Sequence, residues 1–88
     1  MNIYVHERIH LRHQEINKQD VESAWENCIA LRHRNFEPPA YFVAAGIDRK
    51  GRLLEMVGVE LENGGVLIYH SQKITSKVAK ELELESWL

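Results

Sequence analysis

The sequence holds a single cysteine, Cys28. An internal disulfide and a thiolate zinc site are both excluded by that count, and a reducing, cytoplasmic setting is the simplest expectation. Long apolar runs are missing too: no stretch approaches the roughly eighteen residues that a membrane span requires. The opening Met1-Asn2-Ile3-Tyr4-Val5-His6-Glu7 is charged too early for a signal peptide. Proline occurs only as the pair Pro38-Pro39, which excludes helix at that point and nowhere else. A surplus of positive charge is also lacking. The formal net charge is −2 with neutral histidines, whereas proteins that live on nucleic acid carry a basic excess. Any nucleic-acid role therefore has to come from a local patch.

What is present is an ordinary globular composition, 44% hydrophobic and 27% charged over 88 residues, enough for one domain with a modest core. Asn2 to Val5 reads as a short first strand or an extended lead-in. Val5 to Gln14 reads as a first helix, with Val5, Ile9, Arg12 and Ile16 on one stripe and His6, His10 and His13 on another. A second helix is capped by Asn17, carries Asp20 and Glu22 near its positive end, and presents Val21, Ala24, Trp25, Cys28 and Ile29 at helical spacing. On that stripe Cys28 is expected to be buried and inert, and Trp25 and Phe42 read as core.

Beyond the prolines the pattern changes to strands. Ala40 to Asp48 and Leu53 to Leu61 are joined by Asp48-Arg49-Lys50-Gly51-Arg52, a hairpin loop with a glycine suited to positive φ. Leu53, Leu54, Met56 and Val57 are apolar on both faces, as in a central strand covered on both sides. Asn63-Gly64 marks a second hairpin, and Gly65 to His70 a third strand. Tyr69-His70-Ser71-Gln72-Lys73 reads as a polar step into a last helix, capped by Thr75 and carrying Val78, Ala79 and Leu82. The expected architecture is α+β: two N-terminal helices, an antiparallel meander of three or four strands and a C-terminal helix.

Three segments resemble those of one family. His10-Leu11-Arg12-His13, followed by Ile16-Asn17-Lys18-Gln19-Asp20-Val21, is similar to the opening of BrnT-like proteins. Gly46-Ile47-Asp48-Arg49-Lys50-Gly51-Arg52-Leu53-Leu54-Glu55 resembles their G-x-D-x-x-G-R-x-L-E hairpin. Ile68-Tyr69-His70-Ser71-Gln72-Lys73 looks like their strand that runs into the last helix. BrnT-like proteins belong with the RelE/ParE toxins of type II toxin–antitoxin pairs. The resemblance implies a small α+β domain with a curved antiparallel sheet, RNA cleavage without a metal or other cofactor, and neutralisation by a cognate antitoxin protein.

Metal-free RNA cleavage needs the 2′-hydroxyl deprotonated, the phosphate charge stabilised and the leaving oxygen protonated. Histidine suits proton transfer near neutral pH, and lysine and arginine suit phosphate stabilisation. His70 and Lys73 are the leading catalytic candidates, with Lys77 and Arg52 in the phosphate clamp. The plainer reading is a strand end beside a solvated helix start. His13 is a further catalytic candidate and Arg12 an RNA contact, unless this helix lines an antitoxin surface or its histidines merely complete packing. Arg32 and Arg34, with His33, Phe36 and Tyr41, form a basic and aromatic mix that suits phosphates and stacked bases, or else a solvated loop.

His6-Glu7-Arg8-Ile9-His10 spells HExxH, which on a helix places two histidines on one metal. Almost no scaffold precedes it, and no further glycine and histidine extend it, so adventitious metal binding outweighs a catalytic zinc. A non-catalytic module binding protein or nucleic acid is the alternative function. A sheet edge and the Trp87-Leu88 tail are natural docking surfaces for a partner chain or a homodimer.

Overall fold

The computed structural model describes residues 2–88; Met1, which opens the charged N-terminal stretch, lies outside them. The chain runs β1 (Ile3–Val5), α1 (Arg8–Arg12), α2 (Lys18–Glu26), β2 (Cys28–His33), β3 (Tyr41–Ile47), β4 (Leu53–Glu60), β5 (Val66–Lys73), α3 (Ser76–Glu81), and a closing 3-10 turn at Glu85–Trp87. The α+β class holds, but the order of elements is richer than the sequence suggested. Five strands form one mixed sheet in the order β1-β5-β4-β3-β2. β2 to β5 are an antiparallel meander, and β1 joins β5 in parallel through Ile3–Val66, Tyr4–Leu67 and Val5–Ile68.

The first helix is shorter than expected. Val5 is spent on the sheet, and the His6 N–H donates to Ile68 O at 2.9 Å, prolonging the pairing. Helix therefore starts only at Arg8, and the proposed Val5 and His6 stripes do not exist. The second helix begins where expected: the Asn17 N–H donates to Asp20 Oδ2 at 2.9 Å, satisfying an amide that the helix itself leaves unpaired. It ends at Glu26, before the last two residues of its predicted stripe. Cys28 and Ile29 instead open β2, where Ala30, Leu31, Arg32 and His33 pair with Ala45, Ala44, Val43 and Phe42. Tertiary pairing with β3 overrides the helical period here. As a result Cys28 is exposed, not buried, and Arg32 and His33 lie on a strand rather than in a loop.

The turns follow their residues. The Asp48 carboxylate accepts from the backbone N–H of Lys50 at 2.9 Å and of Arg52 at 2.8 Å, and Gly51 takes φ 79°, a conformation without penalty only for glycine. Both faces of the sheet are covered. On one, Ile9, Ile16, Val21 and Ala24 pack on Phe42, Ala44, Leu54, Met56 and Ile68, with Trp25 partly buried against them. On the other, Val78, Ala79, Leu82 and Leu84 pack on Val43 and Ala45. Leu54 and Met56 are fully buried and β4 is a central strand, as its apolar run indicated. No helix among the described residues is long and apolar enough to cross a membrane.

Candidate functional site

β1 covers only Val66 to Ile68, so the second half of β5 has β4 on one side and an open edge on the other. The polar step read from the sequence is in fact this half-strand, which stays in the sheet as far as Lys73. It contains a bulge. Ser71 pairs with Met56 and His70 with Val57, yet Gly58 pairs with Ile68, leaving Tyr69 as an extra residue. A bulge of this kind shifts the alternation of side chains by one. Ile68 and Ser71 therefore share the face covered by α1 and α2, and His70 and Gln72 turn toward the face covered by α3.

On that face the His70 ring meets Glu55. Glu55 stands in the central strand β4 and is only 3% exposed. One carboxylate oxygen lies 2.9 Å from His70 Nε2 and 3.3 Å from Gln72 Nε2. The other accepts from the Thr75 backbone N–H at 2.8 Å and from its hydroxyl at 2.7 Å. Burial pushes the Glu55 carboxyl up, but the hydrogen bonds from His70, Thr75 and Gln72 outweigh it and hold it at about 2, against an ordinary 4.5. Thr75 Oγ1 also accepts from the Val78 N–H at 3.3 Å, so one carboxylate ties the strand to the start of α3.

His13, just past α1, brings its ring edge-on to His70 with centroids 6.3 Å apart. The Arg8 Nε donates to the Tyr69 carbonyl at 2.9 Å and its guanidinium lies 5.4 Å from the Tyr69 ring centre, anchoring α1 at the bulge. Beside this pair a groove of about 280 Å³ is lined by His13, Glu15, Ile16, Arg52, Leu54, Gln72 and Lys73. Lys73 is exposed and paired with Leu54 in the sheet, on the opposite face from His70. The edge thus gathers His70, His13 and Lys73, with the two faces of the sheet meeting at it.

The chain matches no family model, no curated protein and no solved structure.

The other named cations are placed differently. Arg52 is bound to Asp48 at 2.8 Å, to Asp20 at 3.2 Å and to the Glu15 carbonyl at 3.0 Å, which commits it to the hairpin. Asp20 is fully buried and also holds Arg49 at 2.8 Å and Lys50 at 3.6 Å. Burial raises the Asp20 carboxyl, but the Asn17 N–H and these cations bring it below its ordinary value. Arg34 donates to both oxygens of Glu81 at 3.0 and 3.2 Å. That contact raises Arg34 above the usual guanidinium range, with weaker attraction from Tyr69 and Glu55. Arg32 lies 3.7 Å from Glu83. Arg32 on β2 and Arg34 just past it therefore face carboxylates of the C-terminal segment instead of joining the edge. Arg12 is exposed at the end of α1, and Lys77 is exposed in the first turn of α3.

The HExxH reading loses its helical premise. His6 precedes the helix and its Nδ1 accepts from the Arg8 N–H at 3.1 Å, while His10 Nδ1 lies 2.9 Å from the Ile16 carbonyl and must donate to it. Among the described residues no group of histidine, cysteine, aspartate and glutamate is placed to hold a metal. Glu55 and Thr75 were not singled out from the sequence as site residues. Two signals were available: Glu55 closes the family-like G-x-D-x-x-G-R-x-L-E segment, and it is a carboxylate inside the apolar run Leu53-Leu54-Glu55-Met56-Val57, where a buried charge demands partners.

Proposed function

We propose that the chain is a small metal-independent ribonuclease of the BrnT-like, toxin-like kind, held in check by a cognate antitoxin protein. The approach of His13 to His70, with ring centroids 6.3 Å apart and the Glu55 carboxylate behind His70, carries this reading. Two imidazoles this close can both reach one phosphodiester, one as base and one as acid. His70 takes the proton of the 2′-hydroxyl, the freed oxygen attacks phosphorus, and His13 gives a proton to the departing 5′-oxygen. Lys73, exposed beside His13 on the groove, supplies positive charge to the phosphate. The chain order also supports the reading. The three family-like segments lie in α1 and the start of α2, in the β3–β4 hairpin, and in β5 as it runs into α3.

A second reading is favoured by one observation. Arg32, Arg34 and Arg52 each face a carboxylate of the chain itself, so three cations assigned to RNA are already paired. That arrangement suits a non-catalytic module on the same fold, docking a protein or nucleic acid without turnover, or a second copy of itself.

Cleavage of a messenger RNA in excess EDTA separates the two. Cleavage that survives the chelator and falls at least about 100-fold in His70→Ala and in His13→Ala is the expected result. No cleavage by a folded wild-type protein would refute the ribonuclease reading in favour of the module.

A further inference from the structure

The surroundings of Glu55 bear on which nitrogen of His70 does chemistry. An ionised carboxylate has no proton to give and can only accept. Every group turned toward Glu55 must therefore be a donor. Thr75 contributes its N–H and hydroxyl, and Gln72 its amide N–H. At 2.9 Å the Nε2 of His70 is held to the same rule. A neutral imidazole carries one proton, so a proton on Nε2 leaves Nδ1 with a free lone pair.

We infer that Glu55 is a positioning residue that fixes His70 as its Nε2–H tautomer and makes Nδ1 the nitrogen that receives the 2′-hydroxyl proton. The assignment of Nδ1 to that step rests on the ribonuclease reading; the tautomer itself does not.

Three further donors make Glu55 a fixed post. Its carboxylate is clamped by Gln72 and twice by Thr75, from β5 and from the start of α3, so it does not depend on His70 for its own orientation. The bulge at Tyr69 aims His70 at that post. In the reaction Nδ1 takes the proton of the 2′-hydroxyl and His70 becomes an imidazolium with both nitrogens protonated, one still bonded to Glu55. The 2′-oxygen forms its bond to phosphorus as the bond to the 5′-oxygen breaks. The departing oxygen takes its proton from His13, leaving a cyclic phosphate and a free 5′-hydroxyl. Proton exchange with water resets both rings. A carboxylate behind a histidine contributes in this way by holding one tautomer and stabilising the imidazolium that forms.

The test uses the full chain labelled with 15N. Imidazole nitrogen shifts distinguish the two neutral tautomers when recorded at a pH well above the ordinary histidine range. Wild type is expected to show His70 as a single Nε2–H form. Glu55→Gln presents either an oxygen or an N–H to the ring, so a mixture of tautomers is expected, with RNA cleavage reduced about 100- to 10,000-fold. An Nδ1–H form or a mixture in wild type would overturn the inference, and that spectrum decides the matter even if Glu55→Gln fails to fold. A folded Glu55→Gln protein that cleaves RNA like wild type would overturn the positioning role while sparing the ribonuclease reading. A wild-type protein that cleaves nothing yet shows the single Nε2–H form would refute the ribonuclease reading and leave the tautomer lock in place.

Discussion

Acid will destabilise this protein in part through Glu55. The carboxyl is 3% exposed, and against the effect of burial its hydrogen bonds hold it at about 2 in the folded chain, compared with an ordinary 4.5. A carboxyl depressed by folding stabilises the native state fully above its unfolded pKa, and the contribution disappears as pH falls through the folded value. For Glu55 the window runs from about pH 4.5 down to about pH 2. At about 1.4 kcal/mol per pH unit the contribution is of order 3 kcal/mol, a large share of the roughly 5–15 kcal/mol that stabilises a typical domain. Urea unfolding of wild type and Glu55→Gln, repeated from about pH 6 to about pH 2, isolates it. Asp20 and Glu81 are also held below their ordinary values, but they act in both proteins and cancel in the difference. The stability gap between the two proteins is expected to be constant above the window and to narrow by about 3 kcal/mol through it. A gap that stays constant down to pH 2 would refute the claim that these hydrogen bonds hold Glu55 ionised.

Two further substitutions probe the frame that carries the site. Asp20→Ala removes the carboxylate that caps α2 and leaves Arg52 without one of its partners; a loss of about 3–5 kcal/mol in chemical denaturation is expected, and a loss below about 1 kcal/mol would show the network to be incidental. Gly46→Ala places a methyl group against the Ala24 carbonyl, which leaves no room for it. That carbonyl is backbone and cannot rotate away, so α2 must lift off β3, with a loss of about 3 kcal/mol or more; an unchanged thermal midpoint would mean that the helix sits farther from the sheet.

The parts of the fold that were legible in the sequence are those written in short-range chemistry. The β3–β4 and β4–β5 hairpins were marked by Gly51 and by Asn63-Gly64, and both glycines take positive φ. The start of α2 was marked by Asn17 and Asp20. β2 was not legible, because Cys28 and Ile29 continue the helical period of α2 and only the distant β3 converts them into a strand. His70 was singled out for its chemistry, but its partner was not, since fifteen residues separate it from Glu55. Lys73 was read as part of a polar step into the last helix, whereas β5 continues through it and turns it to the opposite face from His70.

The extra residue at Tyr69 has an implication for how such a domain gains or loses chemistry. From His70 to Lys73 the side of the sheet is set by the bulge that absorbs Tyr69, not by the identity of any one amino acid. Deleting Tyr69 would only make the ladder regular and leave His70 opposite Val57 and Ser71 opposite Met56. Closing the bulge with Tyr69 retained and paired with Val57 would keep every functional group in the chain and exchange their destinations, sending the imidazole toward the packed interior and the Ser71 hydroxyl toward the carboxylate. Two chains with identical polar residues that differed only in whether this bulge forms would then differ in function as much as an active and a dead copy. An alignment scored on residue identity alone would call them equivalent.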